Sequence, residues 1–182
     1  MDIISVFETE GGSSILSGPA IILVFNIKYT HNVIYKVTML HFVQSFSDNI
    51  IELLKEDPVR PHIPTSSRIG ANRDIFVLRD ENGKAKAITC ASYQNIIPLD
   101  ESELFEPVTE PSVVVFYTIW SYAPGAGREL ILDAVRHIRE NKPNIKRFVT
   151  LSPPTEMARK FHIKNGANTF RVNDSTINYE YI

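Results

Sequence analysis

The apolar positions of the chain change period along its length. Asn32 to Leu40 (NVIYKVTML) is β-branched and aromatic with partial alternation, which predicts a strand. Ser47-Asp48 then reads as the cap of a helix carrying Ile50, Ile51, Leu53 and Leu54 and ending before Pro58. Residues 58–72 contain prolines, serines and a glycine and read as a loop with room for one helical turn. Asp74 to Leu78 and Lys86 to Tyr93 read as strands, joined by the turn residues Asp80-Glu81-Asn82-Gly83. After an acidic loop from Asp100 to Pro111, Ser112 to Trp120 (SVVVFYTIW) is almost continuously apolar or β-branched, as a central strand should be.

Beyond Trp120 the period becomes helical. Leu130, Ile131, Ala134, Val135 and Ile138 share one face of a helix that Asn141-Lys142-Pro143 stops. Arg147 to Leu151 predicts another strand. Met157, Ala158 and Phe161 fall on one face of a last helix that stops at Gly166. Phe170 to Val172 and Ile177 to Tyr181 form a closing strand pair. The order β-α-ββ-β-α-β-α-ββ contains one strand–helix–strand crossover among hairpins. It predicts an α+β domain over residues 32–182 with a mixed, mostly antiparallel sheet. Residues 1–31, with Gly11-Gly12-Ser13-Ser14 and Ser17-Gly18-Pro19 around short apolar stretches, read as an extension, either a β-hairpin or an arm.

The segment joining the central strand to the amphipathic helix carries the first chemical signal. Tyr122-Ala123-Pro124-Gly125-Ala126-Gly127-Arg128 places two glycines where the first backbone N–H groups of a helix lack intrahelical partners. Those N–H groups and the helix dipole favour an anion. Glycines permit a positive φ and a close approach. A pyrophosphate suits such a turn, and Arg128 adds a charge. The turn lacks the Lys-Ser/Thr of a P-loop, and it lies too late in the chain for a Rossmann fingerprint.

Charge distribution agrees with an anionic ligand. The net charge is only −2 over 182 residues. Residues 1–110 hold 9 basic and 15 acidic side chains, whereas residues 111–182 hold 10 basic and 6 acidic. The basic residues are interrupted by acids and match no nucleic-acid motif, so nucleic acid is not the expected partner. A single cysteine, Cys90, rules out an internal disulfide and sits in an apolar run as a buried small hydrophobe. The histidines are scattered without metal-ligand spacing, so no metal is expected; His137 is expected to face solvent. No basic leader precedes Lys28, and the apolar run Ala20 to Ile27 is too short to cross a bilayer. These features suggest a cytoplasmic protein without membrane association, as a monomer or homodimer.

The stretch 113–167 resembles the GNAT (N-acetyltransferase) superfamily. Its members have a central strand, a Q/R-x-x-G-x-G/A turn opening a helix, a further strand, and a helix ending near an aromatic pair. Tyr122 stands where that family usually has Gln or Arg. In detail the words are most similar to the malonyl-CoA decarboxylase catalytic domain. They are Phe116-Tyr117-Thr118-Ile119, the TLSP of Thr150 to Pro153, Phe161-His162-Ile163-Lys164-Asn165-Gly166-Ala167, Arg171-Val172-Asn173 and Asn178-Tyr179-Glu180-Tyr181. The resemblance covers about the last 70 residues.

It implies a GNAT-like fold and an acyl-CoA, such as acetyl-CoA, as substrate. Tyr122, Gly125, Ala126, Gly127 and Arg128 would hold the CoA, with Ile119 and Trp120 beside its pantetheine arm. It also maps the decarboxylase family's catalytic serine and histidine onto Ser152 and His162. In that family a long segment separates the two. Here nine residues do. A helix across that gap would rise about 1.5 Å per residue, or roughly 10–15 Å, against the 2.6–3.2 Å or so of a direct hydrogen bond. The spacing therefore predicts no direct Ser–His contact unless residues 152–156 fold back. Ser152 followed by Pro153 also reads as a helix N-cap, or as a contact to the CoA arm. His162 is the better candidate, as a proton donor toward a thiolate or an enolate carbon. Glu106 and Glu110, in the acidic loop, are candidates for holding a cationic amine. The leading expectation is acyl transfer from CoA to an amine. Decarboxylation of malonyl-CoA or a related thioester comes next, and non-catalytic acyl-CoA binding third.

Overall fold

The computed structural model describes residues 38–43 and 49–182. The expected extension over 1–31, its boundary at residue 32, most of the strand read from Asn32, and the Ser47-Asp48 cap lie outside the described residues. The elements are β1 (Thr38–Phe42), α1 (Ile50–Leu53), β2 (Arg73–Asp80), β3 (Ala85–Gln94), β4 (Val113–Ser121), α2 (Ala126–Asn141), β5 (Arg147–Thr150), α3 (Glu156–Lys164), β6 (Ala167–Val172) and β7 (Ile177–Tyr181). Short 3₁₀ turns follow α1 and occupy Thr65–Ser67 and Glu101–Phe105.

The strands form one seven-stranded sheet in the order β1-β2-β3-β4-β5-β7-β6. Only β4 and β5 are parallel. Every other pairing is antiparallel. The fold is thus the α+β class with a mixed, mostly antiparallel sheet that the element order predicts. The parallel pair is the crossover through α2.

Each face of the sheet carries its own core. Phe76, Leu78, Val114, Phe116, Phe148, Tyr179 and Tyr181 pack with Leu130, Ile131, Ala134 and Ile138 of α2. Ile75, Val77, Ile88, Val115, Tyr117, Trp120 and Leu151 pack with Ile50, Leu54, Ile63 and Leu104 on the other side, under α1 and the loops. Alternation along each strand sends neighbouring side chains to opposite cores.

In β4 that alternation is interrupted. The β3–β4 register shifts between Cys90↔Thr118 and Ala91↔Phe116, leaving Tyr117 as the extra residue of a β-bulge. Tyr117 and Thr118 both turn toward the loop face: Tyr117 packs on Phe105, and the Thr118 hydroxyl donates to Asp57 Oδ1 at 2.7 Å. The bulge also resets the phase of the strand beyond it. Ile119 joins the α2 face, and Trp120 the loop face.

Three helical positions differ from the sequence reading. Met157 is 82 % exposed and lies outside both cores, whereas His162 is the buried residue of α3. The stripe of Met157, Ala158 and Phe161 overlooked that an imidazole with partners for both nitrogens can be buried as readily as an apolar side chain. His137 is half-buried, with its ring centroid 4.3 Å from that of Phe42 in β1. Cys90 is fully buried as expected, and burial pushes its thiol up to about 11. No helix among the described residues is long and apolar enough to cross a membrane.

Candidate active site

The glycine turn divides its two requirements between its two glycines. Gly125 is the residue before α2 and has φ +80°, a backbone conformation that strains any residue with a β-carbon. Its carbonyl accepts from Glu129 N–H at 3.1 Å, the first turn of the helix. Gly127 is inside that turn with no positive φ. It is small because a β-carbon there would lie 3.4 Å from the Phe161 ring and 3.6 Å from Ser121 Oγ. The N-terminus of α2 therefore abuts α3 at the residue beside His162. Ala126 is buried and Arg128 is exposed at the mouth of the turn.

The Ser152 and His162 side chains are in direct contact: Oγ lies 2.9 Å from Nε2. This overturns the expectation drawn from their spacing. Ser152 does not cap α3. It still belongs to the sheet, just past the end of β5, exchanging both backbone hydrogen bonds with Ile177 at 2.9 Å. The cap is Thr155, whose hydroxyl accepts from Ala158 N–H. The chain reverses at Pro153-Pro154, so α3 runs back over the sheet instead of away from it. Its second turn returns His162 to the level of Ser152.

Each polar atom of the pair has a partner. Ser152 Oγ also donates to Thr150 Oγ1 at 2.9 Å, and Thr150 Oγ1 accepts the Tyr179 N–H. His162 Nδ1 lies 2.8 Å from the Tyr181 hydroxyl. The imidazole stacks on the Tyr179 ring at 4.9 Å and meets the Phe161 ring edge-on at 5.1 Å. At 4 % exposure, burial lowers the His162 pKa to about 4, so the ring is neutral at pH 7. A neutral imidazole bonded at both nitrogens donates at one and accepts at the other. Thr150, Ser152, His162 and Tyr181 thus form a continuous buried proton-carrying chain on the α2 face.

The other residues singled out from sequence are spread around this centre. Ile119 is on the same face as α2. Trp120 is on the opposite face, where its Nε1–H donates to the Tyr122 hydroxyl at 3.0 Å and that hydroxyl donates to Glu56 at 2.8 Å. Tyr122 is committed to Trp120 and Glu56, not to the N-terminus of α2. Glu106 and Glu110 are exposed and precede β4, whereas the glycine turn follows it. A nine-residue strand spans roughly 27 Å, so these carboxylates lie at the far end of the sheet from the turn. Arg171 donates to the carbonyls of Ile97 and Pro98 and to Asn178 Oδ1. Among the described residues, no three His, Cys, Asp or Glu side chains are grouped to hold a metal ion.

Sequence reasoning missed Thr150 and Tyr181 as partners of the pair. Both were signalled by strand period: Thr150 is two residues before Ser152, and Tyr181 two after Tyr179. It also missed Arg60, which has no such signal because it lies in a loop.

Solved structures of similar fold include malonyl-CoA decarboxylases and acetyltransferases. The malonyl-CoA decarboxylase from Rhodopseudomonas palustris superposes with a TM-score of 0.64 at 17 % identity, over 79 % of this chain and 59 % of that one. The enzyme of the same name from Agrobacterium vitis gives 0.58 at 22 % identity, over 75 % of this chain and 39 % of that one. The Bacillus subtilis acetyltransferase in complex with CoA gives 0.56 at 10 % identity, over 80 % of this chain and 98 % of that one. The fold is the GNAT fold. The chain spans less than two thirds of each of the two decarboxylases, whereas the Bacillus subtilis acetyltransferase is covered almost whole. No family model matches the chain, and no curated protein does. The glycine turn into α2 and the buried Ser152–His162 pair come together where Gly127 faces the Phe161 ring.

Proposed function

We propose that this protein acts on an acyl-CoA thioester bound where the β4–β5 ladder stops, beyond Phe116 and Thr150. The pyrophosphate would sit on the N-terminus of α2 at Gly125 to Arg128, and the thioester beside His162. The reaction that fits best is decarboxylation of a malonyl-type thioester. One observation carries this reading: the 2.9 Å contact between Ser152 Oγ and His162 Nε2, buried and backed by Tyr181.

The chemistry follows from the protonation state. When the bond between the α-carbon and the carboxylate breaks, CO₂ departs and the electron pair remains as the enolate of the thioester. The α-carbon then needs one proton. A neutral His162 does not deliver it as an imidazolium. Instead the Ser152 hydroxyl gives its proton to carbon and recovers one from Nε2–H. Nδ1 takes the Tyr181 phenol proton, and solvent restores the last one. The sum is one thioester carboxylate and one proton giving CO₂ and the shortened acyl-CoA. A proton donor placed this way contributes a factor of about 10²–10⁴. Burial also keeps water from competing for the carbanion.

Acyl transfer to an amine is the second reading, favoured by a different observation. A cavity of about 340 Å³ opens on the loop face between Arg60, Asp100, Glu101, Ser102, Pro153 and Thr176. Glu101 there is already paired with Arg60, so Asp100 is the carboxylate that suits a cationic amine approaching from the side opposite His162, which would then protonate the departing thiolate.

The test is to supply malonyl-CoA and acetyl-CoA separately and follow the products by mass spectrometry. Acetyl-CoA and CO₂ forming from malonyl-CoA without an acceptor is the expected result. Free CoA forming only when an amine is added replaces it with the second reading. Failure of CoA to shift the thermal midpoint overturns both.

A further inference from the structure

β4 and β5 stop pairing after Phe116 and Thr150, at the β4 bulge, and the groups that replace the ladder can be named atom by atom. Their ladder pairs Val113–Phe116 with Arg147–Thr150 and adds Leu151 N–H to Phe116 O at 3.0 Å. In a regular parallel ladder the next rung would use Thr118 N–H to Leu151 O, then the N–H of residue 153 to Thr118 O. Residue 153 is proline and has no N–H. The Thr118 carbonyl is taken instead by the Thr89 hydroxyl at 2.7 Å. The Leu151 carbonyl is taken by Arg60 Nη2 at 3.0 Å, and Arg60 Nη1 donates to the carbonyl of the bulge residue Tyr117. One guanidinium thus bridges the two strands where their own pairing stops.

Arg60 is itself held from all sides. Its Nε donates to Glu101 at 2.9 Å, its own N–H donates to Asp57 Oδ1 at 3.0 Å, and its carbonyl accepts from Arg68 Nη2 at 2.6 Å. Asp57 pairs with Arg68 Nη1 at 2.7 Å and receives the hydroxyl of Thr118 at 2.7 Å. Asp57, Arg60 and Arg68 are 2, 5 and 0 % exposed. A buried ionic cluster of this kind is poor value as a source of stability, since apolar residues of similar volume often do as well. Its geometry has another use. A planar fork with fixed N–H directions satisfies two strand carbonyls while keeping the strands apart, which neither an apolar side chain nor a strand N–H can do.

We infer that Arg60 is a positioning residue: its guanidinium is the wedge that holds β4 and β5 open for the pantetheine and acyl portion of the substrate. This rests on the acyl-CoA reading above. The glycine turn lies at the end of β4, beyond the wedge, and does not depend on it. Binding of the nucleotide end and of the pantetheine end therefore respond differently to loss of Arg60.

The experiment measures calorimetric affinities of CoA and of adenosine 3′,5′-bisphosphate for the wild type, Arg60→Gln and Arg60→Lys. Thermal melting checks that each variant is folded. Arg60→Lys keeps the charge opposite Glu101 and loses the fork, so it tests the wedge even where Arg60→Gln fails to fold. Expected in the folded variants is a loss of CoA affinity of about tenfold or more, with affinity for the bisphosphate unchanged within about twofold. Parallel loss of both affinities overturns the wedge and makes Arg60 merely structural. Unchanged CoA affinity in a folded Arg60→Lys overturns it as well. Absence of CoA binding by the wild type is the separate failure of the acyl-CoA reading, and removes the wedge's function with it.

Discussion

Ser152 Oγ and His162 Nε2 lie 2.9 Å apart, although nine residues separate them and Ser152 belongs to the sheet while His162 belongs to a helix. The contact exists because the helix starts at Glu156, after a reversal at two prolines, and runs back over the strand it left. Truncating either partner should affect turnover far more than binding. Ser152→Ala and His162→Gln are expected to lower kcat by about a hundredfold or more, with CoA affinity unchanged by calorimetry. Equal loss of kcat and binding would remove the pair from the chemistry.

The depressed pKa of His162 sets a pH dependence of stability. Its folded value of about 4 lies below the ordinary 6.5, so the unfolded chain binds the extra proton first as pH falls. The contribution of the neutral buried ring is complete above pH 6.5 and is lost progressively as pH drops toward 4. At most it amounts to about 3 kcal/mol. Urea unfolding from pH 7.5 to 4.5 should therefore be steeper with pH for the wild type than for His162→Gln. Parallel curves for the two proteins would contradict the buried neutral state.

The two glycines of the turn should respond differently to the same substitution. At Gly125 a methyl group meets nothing within 4 Å, but φ is +80°, so Gly125→Ala should cost about 1–2 kcal/mol through the backbone. At Gly127 the backbone is ordinary and the Phe161 ring is 3.4 Å from the added carbon. Gly127→Ala should be tolerated, while Gly127→Leu should displace Phe161 and with it His162. Thermal melts combined with turnover separate the cases. Gly125→Ala lowers the midpoint, and Gly127→Leu lowers kcat.

The Asp57–Arg68 pair is fully buried. Arg68→Met leaves the Asp57 carboxylate without its main cationic partner and is expected to destabilise the fold by about 3–5 kcal/mol, read from urea unfolding. A change under about 1 kcal/mol would mean that the hydrogen bonds from Thr118 and the loop N–H groups suffice alone.

Glu106 and Glu110 provide a contrast. They lie at the end of β4 away from the glycine turn, so Glu106→Gln and Glu110→Gln should leave turnover of any acyl-CoA unchanged. An effect on kcat comparable to that of His162→Gln would place the acceptor at that end of the sheet.

The sequence alone determined most of the fold. The unbroken apolar run before residue 121 had to be a central strand, because only a strand covered on both faces can be apolar at every position. The helical period after the glycines, the prolines and turn residues between elements, and Ile177–Tyr181 as a closing strand were read from local rules and hold in three dimensions. The glycine turn was visible too, though not that one glycine serves a backbone angle and the other a neighbouring ring. Tertiary structure alone decided the site. Distance along a chain converts to distance in space only within one element, and residues 152–162 contain a strand edge, a reversal and a helix. Which face of α3 is buried depended on what lay beneath it: Tyr179, Tyr181 and Ser152 supply partners for an imidazole, so His162 points inward and Met157 outward. The role of Arg60 was equally invisible. A charged residue in a proline-rich loop becomes a bridge between strands only when folding brings two carbonyls, Tyr117 and Leu151, within reach of one guanidinium.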